Sequence, residues 1–128
     1  MLDKLRRRIG RSPDPQGDAL RDDPVVRELR AALDEDRVRT DSAERSLLAH
    51  DASVFEGGLA GPVCFPVTTG EVAAIMRIAQ RHGRATVARG AGTGLAGGAI
   101  PLGAPIVIAV TRMNRILDVD LDNRVAWV

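Results

Sequence analysis

The chain has 128 residues, the size of one ordinary domain, and 45% of them are apolar, enough to bury a core. Its 18 basic residues balance 17 acidic ones, leaving no net field to draw a polyanion or a membrane surface. The three aromatics, Phe55, Phe65 and Trp127, are too few for the stacking platforms of single-stranded nucleic-acid binding, and Cys64 with His50 and His82 makes neither a disulfide framework nor a zinc set.

Residues 1–23 read as a basic tail and linker, with Arg6, Arg7, Arg8 and Arg11 in a stretch broken by Pro13, Pro15 and Gly17. Such a run is either solvated or touches an anionic lipid or a partner. The start MLDKLRRRIG is followed by PDPQGD rather than an apolar segment, so it is no secretory signal. No apolar run approaches the roughly 20 residues that span a bilayer. A cytoplasmic location is expected, with peripheral attachment to a membrane left open.

Residues 24–60 are expected to be a helical segment. Asp23 is a good N-cap and Pro24 suits the first turn; Val25, Val26, Leu29, Ala32 and Leu33 then form a stripe that ends near 34–36. A second short helix is predicted from Asp41 or Ser42 to about Ala49, followed by a glycine-broken loop over 57–62.

From residue 61 the pattern changes. Residues 63–67 favour a strand, and Thr68 with Glu71 fits a capping box. Val72, Ile75, Met76 and Ala79 follow at helical spacing, Gly83 suits the left-handed position after the helix, and 84–88 reads as a second strand. This is a β-α-β unit, which predicts parallel strands with a right-handed crossover. Residues 106–110 read as a buried strand, and 116–119 with 125–128 as a hairpin turning at Asp122-Asn123. The fold class is α/β (α+β): N-terminal helices, then the βαβ unit and further strands. A chain that stops inside a strand leaves a sheet edge unfinished, so 61–128 is expected to be an incomplete domain.

The loop RGAGTGLAGG, residues 89–98, carries the functional signal. Glycines directly after a strand remove the Cβ atoms that hold a ligand off the backbone. They also permit positive φ, so that successive N–H groups can form an anion nest. Thr93 adds a hydroxyl. Arg89 either neutralises phosphate charge or anchors the loop to a neighbouring carboxylate. A tight glycine turn that merely lets strands pack closely is the competing reading. Residues 92–97 match G-x-G-x-x-G literally, but Gly98, Pro101, Gly103 and Pro105 forbid the helix that a Rossmann site requires. No lysine follows Gly97, so the Walker reading fails as well, and nucleotide hydrolysis at this loop is left as the weakest of the readings.

The βαβ unit, RGAGTGLAGG and the downstream RMNRILDVDLDNRVAWV, together with VRTD at 38–41 and HDAS at 50–53, resemble the FAD-linked oxidases of the vanillyl-alcohol oxidase type. The similarity is greatest to the branch of glycolate oxidase flavoprotein subunits and D-lactate dehydrogenases, and it covers about residues 25–128. It implies that 61–128 is the first lobe of an FAD-binding domain of the PCMH type. On that basis Gly90, Ala91, Gly92, Thr93, Gly94 and Leu95 wrap the FAD pyrophosphate, Gly97 and Gly98 shape the loop, Arg89 flanks it and Pro66 lies near the cofactor.

The resemblance further implies oxidation of a 2-hydroxy acid, with hydride transfer to the flavin and electrons passed on to an acceptor, which can be a partner protein. The substrate-binding groups of the family belong to a later domain, so no catalytic residue is assigned in this sequence and the 128 residues alone are expected to be inactive. His50 and His82 are read as helix-end residues and Cys64 as a small hydrophobe. The alternative is a short non-catalytic module that binds FAD or another pyrophosphate, or docks on a larger subunit.

Overall fold

The computed structural model describes residues 19–128. The basic cluster Arg6, Arg7, Arg8 and Arg11 lies outside the described residues. Helical geometry is present already at residues 19–21, ahead of the expected start. Helix α1 (Pro24–Leu33) begins where Asp23 accepts a hydrogen bond from the Val25 N–H at 2.9 Å, and it buries Val25, Val26, Leu29 and Leu33. Strand β1 (Val38–Arg39) and helix α2 (Ser42–Leu47) follow, the latter capped by Asp41, which accepts from the Glu44 N–H at 3.0 Å. Helix α2 stops two residues short of Ala49, and His50 lies in the loop beyond it.

Strand β2 is only Val63–Cys64, shorter than the expected 63–67 because Pro66 has no N–H to continue a ladder. Helix α3 (Thr69–Arg81) starts at Thr68, whose hydroxyl accepts from the Glu71 N–H at 3.2 Å. Gly83, at φ +61°, ends it in a Schellman motif: its N–H reaches the Gln80 carbonyl at 3.2 Å and the Arg84 N–H reaches the Ala79 carbonyl at 2.9 Å. The buried stripe of α3 needs one correction. Ile78 is buried with Ile75 and Ala79, whereas Met76 is 47% exposed. Helix α1 covers only part of α3, so the face is narrower and turned from the one the spacing suggested.

Strands β3 (Thr86–Arg89) and β4 (Ile106–Ala109) complete a four-stranded sheet in the order β1-β2-β4-β3. Both β2 and β3 run parallel to β4, so the two strands of the βαβ unit are parallel to each other as expected, but β4 lies between them. The β1 strand joins antiparallel at the far edge, an element that the sequence reading lacked. Residues alternate across β4: Ile106 and Ile108 pack with α1 and α3, while Val107 and Ala109 pack on the other face with Ala60 and Val63. Buried on both faces, β4 is apolar throughout, as a central parallel strand must be.

Contacts along α1 and α3 make the two helices antiparallel. Asp23 meets Arg84, Glu28 meets Arg81 and His82, and at the other end Arg37, just after α1, meets Glu71. Strands β5 (Asp118–Asp120) and β6 (Val125–Trp127) form the predicted hairpin as a separate two-stranded sheet. Asp120 closes its turn, accepting from the Asn123 N–H at 3.0 Å and the Asn123 Nδ2 at 2.7 Å.

Candidate cofactor site

The glycine loop leaves the carboxyl end of β3, on the side of a parallel sheet where ligands of α/β folds bind. Asp51, Arg89, Gly90, Ala91, Gly92, Thr93, Gly94, Leu95, Ala96 and Gly98 line an open concavity of about 360 Å³. Most of the expected residues therefore meet in one place. Two do not share this lining: Pro66, which is fully buried beyond β2, and Gly97, which sits in the loop behind Phe55. Among the described residues, the backbone N–H groups of residues 91–98 donate to no protein acceptor. The loop thus carries a run of backbone donors without protein acceptors beside the concavity.

Its glycines divide into two kinds. Gly92 and Gly97 have φ of +77° and +73°, the left-handed region. A Cβ at Gly92 would stand 2.0 Å from the Arg89 guanidinium, and one at Gly97 would stand 2.8 Å from the Phe55 ring. The fold itself requires these two. Gly90, Gly94 and Gly98 have no positive φ, and a Cβ on any of them would meet no protein atom within 4 Å. No contact within the described chain requires glycine there, and the backbone faces open space at all three positions. This is the fit expected of a pyrophosphate cradle, and it counts against a turn made only for close strand packing.

Arg89 is 7% exposed and lies beneath the loop. Its Nη1 donates to the carbonyls of Leu48 at 2.8 Å and His50 at 2.9 Å, so it anchors the loop to backbone carbonyls rather than bonding a carboxylate. Asp51 was not singled out as a site residue from the sequence, although the D-x-S spacing of Asp51 and Ser53 was there to read. Its Oδ1 accepts from the Ser53 N–H at 3.0 Å. The Ser53 hydroxyl and N–H, then the Ala99 N–H and the charge of Arg89, hold the Asp51 carboxyl below its usual range against the opposing push of burial.

The histidines stay outside the concavity's lining: His82 caps α3 with its Nε2 2.8 Å from Glu28, and His50 contributes its backbone carbonyl. Cys64 is buried, and burial pushes its thiol up to about 12, as befits an unreactive core residue. Among the described residues no cluster of His, Cys, Asp and Glu can hold a metal ion, and no helix is long and apolar enough to cross a membrane.

The FAD binding domain family matches residues 60–128, more than half of the chain. The chain belongs to this family. D-lactate dehydrogenase of Archaeoglobus fulgidus is 44% identical over 61 residues, which are 48% of this chain and 14% of that protein. The glycolate oxidase subunit GlcD of Escherichia coli strain K12 is 39% identical over 66 residues, 52% of this chain and 13% of its own length. The chain thus spans a small fraction of the curated relatives it matches. In three dimensions it is similar to p-cresol methylhydroxylase, with a TM-score of 0.67 at 20% identity, over 75% of this chain and 19% of the other. The shared architecture is the mixed α/β fold of PCMH-type domains, the cofactor of the family is FAD, and its named relatives are FAD-dependent oxidoreductases.

Proposed function

We propose that residues 89–98 hold the pyrophosphate of FAD, and that the chain is the FAD-binding portion of a flavin-dependent oxidoreductase acting on a 2-hydroxy acid of the glycolate or D-lactate type. In this reading the N–H groups and open faces of Gly90, Ala91, Gly92, Thr93, Gly94 and Leu95 receive the phosphates. Gly97 and Gly98 shape the end of the loop, Arg89 supports it from below, and Pro66 ends the strand leading into the unit. The bound flavin supplies the redox chemistry by accepting a hydride, while the protein binds and orients it. Substrate class is carried by the names of the relatives, and the groups that bind the acid are assigned to the part of such proteins that lies beyond this chain.

The observation that carries the reading is the trio Gly90, Gly94 and Gly98, which are glycine without any need of the fold. Replacing Gly94 by valine separates ligand from fold, because a Cβ there meets no protein atom within 4 Å. FAD titrated into the 128-residue chain, followed by quenching of flavin fluorescence, is expected to bind weakly. Gly94→Val should weaken it at least about tenfold by steric exclusion, at unchanged thermal stability. Equal binding by the variant would overturn the assignment of the loop. The chain alone is expected to oxidise neither glycolate nor D-lactate.

A further inference from the structure

The start of the glycine loop is tied to one short segment some forty residues earlier in the chain. At the entrance, Arg89 reaches the Leu48 and His50 carbonyls. At the exit, Ala99 shares the concavity's lining with Asp51, whose Oδ2 is buried with no hydrogen-bond partner among the described residues. Beyond this tie the loop makes few attachments of its own: the Gly97 carbonyl accepts from the Ile100 N–H at 3.2 Å, and Phe55 lies against Gly97. Asp51 and Ser53 form an Asx turn, so the 48–53 segment is itself braced.

The Arg89 guanidinium is hydrogen-bonded through one nitrogen in this arrangement. Nη1 serves two carbonyls, Nη2 lies beneath Gly92, and Nε is buried with no acceptor among the described residues. Burying a permanent charge without a hydrogen-bonded carboxylate is costly. A lysine in its place would keep the charge but would lose the planar fork that spans two carbonyls and fits beneath Gly92.

Resting on the pyrophosphate reading above, we propose that Arg89 and Asp51 are positioning residues: Arg89 clamps the start of the loop onto residues 48–50, and Asp51 braces that segment through its turn to Ser53. The clamp sets the loop for its ligand beforehand and so lowers the ordering cost of binding. Arg89 then acts through the loop's shape, not by touching phosphate.

The test compares the 128-residue chain with Arg89→Lys and Asp51→Ala. Backbone order parameters for residues 90–99 are measured without ligand, and FAD and inorganic pyrophosphate are then titrated. In both variants the loop amides should fall from the rigid range near 0.85 towards about 0.6, while the amides of β4 stay rigid. The dissociation constant for FAD should rise about tenfold in each. An Arg89→Lys chain that keeps both loop order and affinity would overturn the clamp and make Arg89 a simple charge. A loosened loop that binds FAD as well as the parent would overturn the link between clamping and binding. If the parent binds neither FAD nor pyrophosphate, the functional reading fails by itself, and an unchanged loop order in both variants still sinks the clamp. Asp51→Ala lies outside the sheet and keeps the test decisive should Arg89→Lys not fold.

Discussion

At the scale of single residues, the glycines of the loop are alike in the sequence and unlike in space. Gly92→Ala places a methyl group where the anchored Arg89 guanidinium stands and forces a left-handed conformation, which alone costs about 1–2 kcal/mol. Gly98→Ala adds a methyl group that meets nothing and should change stability by less than about 0.5 kcal/mol. Urea unfolding of the two variants checks this, and a Gly98→Ala chain as destabilised as Gly92→Ala would mean that the fold requires all of these glycines. The motif was legible because five glycines among residues 90–98 are conspicuous. Which of them serve the fold was not legible, because that depends on Arg89 and Phe55 arriving from elsewhere in the chain. Arg89 itself was seen as flanking the loop, but its partners are carbonyls of Leu48 and His50, and a carbonyl leaves no trace in a sequence.

At the scale of elements, the local signals were sufficient wherever an element makes its own ends. Asp23, Thr68 and Gly83 cap or end the helices they were read to cap or end, and of the two residues read as the start of α2, Ser42 is the first helical one and Asp41 its cap. What escaped was pairing at a distance. Strand β1 is two residues long, too short for any periodicity, and it exists because β2 offers an edge. Likewise, β4 enters between β2 and β3, an order that no local pattern encodes. Glu71 joins the two kinds of information. It belongs to the capping motif, but it also accepts from the Val67 N–H at 2.7 Å and from Arg37 with both oxygens at 2.8 Å, so it ties the start of α3 to the turn after α1.

Burial pushes the Glu71 carboxyl upward, yet the Val67 N–H and Arg37 outweigh it and hold the group below its ordinary 4.5. A carboxylate lowered in the folded state gives stability that is complete above 4.5 and is lost as the pH falls through the lower folded value. Glu71→Gln should therefore be less stable than the parent at pH 7, and the difference should shrink below pH 4.5. Urea midpoints measured for both chains across that range give the result, and a gap that stays constant with pH would remove Glu71 from the acid response.

At the scale of the whole molecule, the sheet and the hairpin differ in how they are held. The four-stranded sheet is buried on both faces along β4, whereas Ile116, Leu117, Val119, Leu121, Val125, Trp127 and Val128 are all exposed. Among the described residues, β5 and β6 pack mainly on each other, and an apolar hollow of about 540 Å³ lies between the hairpin base and the start of α3, lined by Val67, Val72, Met113 and Leu117 among others. An isolated two-stranded hairpin is marginal in water, so in the 128-residue chain this unit should open independently of the sheet. The sequence provides a clean probe, since Trp127 is its single tryptophan and sits in β6, half exposed. Its emission should be that of a hydrated indole, accessible to iodide before any unfolding, and should change at a lower urea concentration than the helical signal of α1 and α3. Amide exchange in 118–127 should be correspondingly faster than in 106–109, because the former opens without disturbing the core. A single coincident transition would show instead that the hairpin is coupled to the sheet through the hollow beside α3, and the 69 residues that match the family would then fold as one unit.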